Sequence, residues 1–185
     1  MDPDDRAIGR GNIFLVGMMG AGKTTLGKAL AHRTGHEFLD TDRVLVERTG
    51  VPVATIFEIE GEAGFRKRES AVLAEIALRD GYVVATGGGI VLDEENRRVM
   101  RESGTVVYLR ARLENLWERT RHDATRPLLA TDNPRGTLET LLVQREPLYR
   151  GAAHIVVDTG AQSSSTLVNR VMTALRALES PGEPQ

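Results

Sequence analysis

The stretch GMMGAGKT at residues 17–24 constrains this chain more than any other feature. It fits the pattern G-x-x-x-x-G-K-[ST], a loop that wraps phosphate groups in its own backbone amides. Before it, Ile13 to Val16 is an apolar run long enough for one buried strand. After it, residues 25–34 carry Leu26, Ala29 and Leu30 at helical spacing. A strand, the loop and a helix in that order are the context the motif requires. Glycines let the backbone turn tightly, and the helix N-terminus adds partial positive charge. An ordinary glycine-rich turn needs neither Lys23 nor Thr24. The loop therefore predicts ATP binding by Gly20, Ala21, Gly22, Lys23, Thr24 and Thr25. Lys23 reaches the β- and γ-phosphates, and the Thr24 hydroxyl holds Mg2+.

With 185 residues, 41% hydrophobic and 27% charged, one globular domain spanning 1–185 is expected. Its ends, about 1–11 and 179–185, read as flexible. A net charge of -2 and a single Trp argue against a nucleic-acid partner. No cysteine is present, so neither disulfides nor thiolate metal sites arise. No apolar run approaches membrane-spanning length, and the polar start MDPDDRAIGRG has no signal-peptide core. The expected location is the cytoplasm.

Along the chain, residues 37–39 read as a second strand ending in Asp40-Thr41-Asp42. Polar residues at the carboxyl end of such a strand lie where open α/β sheets bind ligands. Thr41 or Asp42 is alternatively a cap for a helix over 43–48. Gly50 closes that helix, Pro52 opens one over 53–60, and Gly61 separates it from a long helical pattern over 62–79. Arg66, Lys67 and Arg68 crowd the start of that pattern. Lys67 and Arg68 read as a solvated face with Glu62 and Glu69 as partners, while Arg66 is open between surface and site. Residues 82–85 form a strand running into Thr86-Gly87-Gly88-Gly89, either a loose turn or a place where a ligand meets bare backbone.

Asp93 caps a helix to Arg101, residues 105–109 form a strand, and 112–121 form a helix in which Trp117 packs. Residues 122–135 hold few apolar side chains and read as a mobile lid carrying Arg126, an arginine placed to swing over a transferring phosphoryl group. A helix over 136–149 is bent or ended by Pro147. A last strand, 155–157, and a closing helix, 167–178, follow. Strands alternating five times with helices predict a three-layer α/β fold, a five-stranded parallel sheet flanked by helices.

An acid after a second strand helps hold Mg2+ in such folds. Asp158 follows the more apolar strand, but that strand is the last; Asp40, paired with Asp42, is preferred as the metal partner of Thr24. Arg66, Arg126 and Arg145 come from three segments and are more than ATP needs, which suggests a small anionic acceptor bound by guanidinium groups. Asp42 is placed to accept a hydrogen bond from the attacking hydroxyl.

Taken together, GMMGAGKTTLG, FLDTD, FRKRE, GGG, TRPLL and REPLY resemble, in order and spacing, the shikimate kinase family over about residues 12–178. The resemblance implies a P-loop fold of the nucleoside-monophosphate-kinase group and a monomer. It implies transfer of the γ-phosphoryl of ATP to the 3-hydroxyl of shikimate, with Mg2+, in chorismate and aromatic amino acid synthesis. By the same resemblance, Lys23, Asp42 and Arg126 are catalytic, and Thr24 and Asp40 hold the metal. Asp42, Arg66, Gly87, Gly88, Gly89 and Arg145 bind shikimate, and Arg119 borders adenine. Many relatives carry an arginine and a proline after the last strand. Here the loop is Thr159-Gly-Ala-Gln162-Ser-Ser-Ser165, with Gln162 as the candidate contact. The rivals are a kinase for another acid such as gluconate, and a silent nucleotide-binding regulatory domain. The Arg66, triple-glycine and Arg145 set speaks against the first, and the presence of Asp42 and Arg126 against the second.

Overall fold

The structure, a computed structural model, describes residues 11–123, 127–160 and 162–179. Five strands form one sheet: β1 (Asn12–Val16), β2 (Glu37–Asp40), β3 (Tyr82–Ala85), β4 (Gly104–Ala111) and β5 (Ile155–Thr159). The order is β2-β3-β1-β4-β5 and every pairing is parallel. Ile13, Phe14, Leu15 and Val16 are all fully buried, as a central strand covered on both faces must be. Edge strand β5 instead alternates buried and exposed residues.

Helices α1 (Lys23–Thr34) and α7 (Ser164–Glu179) pack on one face. On the other lie α4 (Glu94–Ser103) and α6 (Pro134–Ala152). Helices α2 (Thr41–Thr49), α3 (Val53–Ala77) and α5 (Leu113–Thr120) and two 3-10 turns, Ile90–Leu92 and Pro127–Leu129, complete the fold. The three-layer α/β expectation is met. Because β1 has β3 on one side and β4 on the other, the loop leaving β1 sits where the chain order diverges, the place such sheets bind ligands. Asn12 pins the foot of β1: its amide donates to the carbonyls of Arg79 at 2.6 Å and Ile76 at 3.4 Å and accepts from the Tyr82 N–H at 3.1 Å.

Gly61 breaks α3 as expected, at φ 69° and ψ 180°, so the stretch behaves as two helices meeting at a kink. Three local expectations are corrected. The residue that caps α2 is Asp40, not Thr41 or Asp42: its Oδ1 accepts from the N–H groups of Asp42 and Arg43 at 3.2 and 3.4 Å. Pro147 does not end its helix, since α6 continues to Ala152. Proline removes one helical hydrogen bond, but Tyr149 and Ala152 beyond it are buried, and their packing carries the helix on. Glu62 and Glu69 do not serve Lys67 and Arg68. Both pair with Arg66, at 3.0 and 2.8 Å, and Arg68 reaches back across the kink to Glu60 at 2.7 Å.

Candidate active site

The phosphate loop needs its glycines where the sequence places them. Gly20 and Gly22 have φ of 78° and 96°, left-handed values that side chains resist. Gly17 also leaves no room, since a Cβ there would lie 2.7 Å from the Leu109 carbonyl oxygen. The loop thus closes tightly on β4 and delivers Lys23 into the first turn of α1. The Lys23 ammonium donates to the carbonyls of Gly17 and Met18 at 2.8 and 2.9 Å, so the cation is centred over the loop. Thr24 Oγ1 donates to Asp40 Oδ2 at 2.9 Å. Asp40 therefore divides its oxygens, one holding the start of α2 and the other facing Thr24. Asp158, the alternative acid, is engaged elsewhere: at the sheet edge it accepts from Arg110, with Nη2 at 2.7 Å from Oδ2.

The cleft over this loop is lined by Gly20, Gly22, Lys23, Thr24, Thr25, Asp40, Asp42, Thr86 and Arg119, with Met19, Gly87 and Gly88 at its inner end. It continues into a second hollow formed by Ala21, Leu26, Leu109, Arg119, Thr159, Gly160, Gln162 and Leu167. Arg119 lies between the two and donates to the carbonyls of Gly20 and Gly160, both at 3.1 Å. Arg119 and Gln162 are thus brought to the same end of the cleft. Arg126 lies outside the described residues.

Beyond the inner end is a third cavity, lined by Asp42, Arg66, Glu69, residues 87–89 and Arg145, with Val53, Phe57, Phe65 and Leu128 as apolar walls. Two arginines 79 positions apart in sequence face one small space. Arg66 is half-buried, ion-paired to Glu62 and Glu69, and its guanidinium lies 5.2 Å from the Phe65 ring centre. Arg145 is buried on α6. Met19, Asp42, Gly87 and Gly88 line both this cavity and the phosphate cleft, so Asp42 stands where the two meet.

Gly87 and Gly89 stand where a side chain would collide with a neighbour, whereas Gly88 has ordinary contact distances. A Cβ at Gly89 would sit 2.2 Å from Arg66 Nη2, and one at Gly87 would sit 2.1 Å from Glu69 Oε1. The groups that approach this triplet are the protein's own Arg66 and Glu69. Glu69 is fully buried, and its Oε1 accepts no hydrogen bond among the described residues. Burial pushes its carboxyl above the ordinary range; Arg66 draws it back and the charge of Asp42 adds to the rise. Glu69 was missed as a site residue. The available signal was its spacing: three residues after Arg66 on a helix, it shares that arginine's face.

Residues 19–176 match the family model for shikimate kinase. The chain belongs to the shikimate kinase family. Shikimate kinase of Bordetella avium is 58% identical over 167 residues, covering 90% of this chain and 80% of that one. Shikimate kinase of Nitrosospira multiformis is 54% identical over 171 residues, covering 92% and 87%. Among solved structures, the shikimate kinase of Acinetobacter baumannii in complex with shikimate is 43% identical, with a TM-score of 0.88 and coverage of 94% of this chain and 96% of that one.

Proposed function

We propose that this chain transfers the γ-phosphoryl group of ATP to the 3-hydroxyl of shikimate, giving shikimate 3-phosphate and ADP in chorismate and aromatic amino acid synthesis. The observation that carries this reading is the convergence of Arg66, Arg145 and Asp42 on one small cavity that opens into the phosphate cleft. Paired guanidinium groups suit the carboxylate of the acceptor, and Asp42, at the junction, suits its reacting hydroxyl. Lys23 follows the charge on the transferring phosphoryl group, and Arg126, on the 122–135 lid, adds a second cation as the lid closes and excludes water. Arg119 and Gln162 border the adenine.

Thr24 and Asp40 fit Mg2+. They present a hydroxyl and a carboxylate oxygen 2.9 Å apart at the cleft floor, and Mg2+ is held in kinase sites by one or two such oxygens together with substrate phosphates. When bound, the ion neutralises charge on the β- and γ-phosphate oxygens. The protein is proposed to act as a cytoplasmic monomer, one domain over 1–185, with no nucleic-acid or membrane partner. No helix among the described residues is long and apolar enough to cross a membrane.

The test is ADP release with ATP and Mg2+, with shikimate, quinate or gluconate as acceptor. Strong stimulation by shikimate alone is expected. ATP hydrolysis indifferent to any acceptor, or stimulation by gluconate instead, would overturn the reading.

A further inference from the structure

Tyr149 is a fully buried polar side chain beside the acceptor cavity that the proposed reaction leaves unused. Its ring is fully buried and stacks on Tyr108, centroids 5.0 Å apart and planes 21° from parallel. Its hydroxyl donates to the Gly88 carbonyl at 2.5 Å and lies 3.5 Å from the Met18 sulfur. A phenol has one proton to give, and a carbonyl is a far better acceptor than a thioether. Burial holds the phenol above its ordinary value, so that proton stays in place at neutral pH. One helical turn earlier on α6, Arg145 faces the cavity and its side chain hydrogen-bonds the same phenol oxygen, so the hydroxyl touches both the glycine loop and the clamp arginine.

The Gly88 carbonyl belongs to the peptide unit that joins Gly88 to Gly89. None of the described peptide bonds is cis, so the C=O and N–H of this unit point in opposite directions. A carbonyl drawn to Tyr149 therefore turns the Gly89 N–H away from Tyr149, and Gly89 itself lines the cavity against Arg66. Thr41, itself buried, fixes the other end of the loop by accepting from the Gly87 N–H at 3.1 Å. Three consecutive glycines have unusual backbone freedom, so such fixing matters more here than in an ordinary loop.

We propose that Tyr149 is a positioning residue: its hydroxyl sets the Gly88–Gly89 peptide so that the Gly89 N–H is presented to the anionic group of the acceptor between Arg66 and Arg145. This assignment rests on the acceptor reading of the cavity given above. It ties the clamp helix to the glycine loop at a single buried oxygen. Removing it loosens acceptor binding and leaves the nucleotide side untouched.

Tyr149→Phe keeps the ring and its stacking and removes only the hydroxyl. It is expected to raise the KM for shikimate roughly 5- to 30-fold with the KM for ATP unchanged; because the hydroxyl also contacts Arg145, the Gly89 amide signal is the readout that isolates the loop. Tyr108→Phe is the matched control. It removes the other hydroxyl of the same stack, one with no hydrogen-bond partner among the described residues, and should leave both KM values alone. A second readout needs no turnover: the amide cross-peak of Gly89 in a 1H–15N spectrum of the free protein should shift or broaden in Tyr149→Phe and not in Tyr108→Phe. An unchanged shikimate KM with an unmoved Gly89 signal would overturn the proposal, as would equal losses for ATP and shikimate. Should the wild-type enzyme ignore shikimate, the functional reading falls by itself, and the Gly89 signal still decides the role of Tyr149.

Discussion

Asp42 and Arg145 face the same space but are expected to fail in different ways. Asp42→Asn keeps size and hydrogen-bonding capacity and removes the negative charge at the junction of the two cavities. Turnover should fall by roughly two to four orders of magnitude while ATP affinity, measured by direct titration, stays near wild type. Full turnover in that variant would place Asp42 away from the reacting hydroxyl. Arg145→Ala removes a buried cation from the acceptor side only, so the shikimate KM should rise roughly 10- to 100-fold. An effect confined to the ATP KM would sink the clamp assignment. At this scale the sequence was legible where chemistry has a motif: Lys23, Thr24 and the Asp40–Asp42 pair stand where they were expected. It was silent where a role depends on what another segment lacks. The helix spacing puts Glu69 on the face of Arg66, but its approach to Gly87, 18 positions later, depends on the missing Cβ there, which no local pattern around Glu69 announces.

Elements were read well where propensity and packing agree and poorly where packing overrides. The kink at Gly61 and the cap at Asp93 follow from residue type alone. The run of α6 through Pro147 does not, because it depends on Tyr149 and Ala152 being buried beneath the helix's last turns. The start of β5 makes a prediction about pH. His154 Nδ1 accepts from the Val106 N–H at 2.9 Å, and the backbone N–H of His154 donates to the Val106 carbonyl at 2.9 Å, which extends the β4–β5 ladder by a side chain. Burial, then the charge of Arg101, hold this imidazole below its ordinary value. A depressed pKa means that the unfolded chain takes up the proton first. The stabilisation is therefore complete above the unfolded value of about 6.5 and is lost as pH falls through the lower folded value. His154→Asn, whose Oδ1 can take the place of Nδ1 without titrating, should lose less stability than wild type in urea unfolding between about pH 7 and pH 5. Parallel losses in the two proteins would show that His154 is not the group responsible.

For the whole molecule, alternation of strands and helices was enough to give parallel pairing and three layers, but not the strand order. Order decides that β1 is central, that Asp158 is stranded at an edge, and that α6 comes round to set Arg145 opposite Arg66. These are long-range outcomes, and the segments concerned are each unremarkable alone. The shared wall of Met19, Asp42, Gly87 and Gly88 has a consequence for how the protein can respond to its ligands. A partition common to two compartments lets a shift on one side reach the other directly. Whatever factor the occupant of the phosphate cleft contributes to affinity on the far side, the acceptor returns by the same factor, since the two paths around the cycle must close. Communication between the compartments thus needs no relay through the fold: one layer of four residues separates cause from effect.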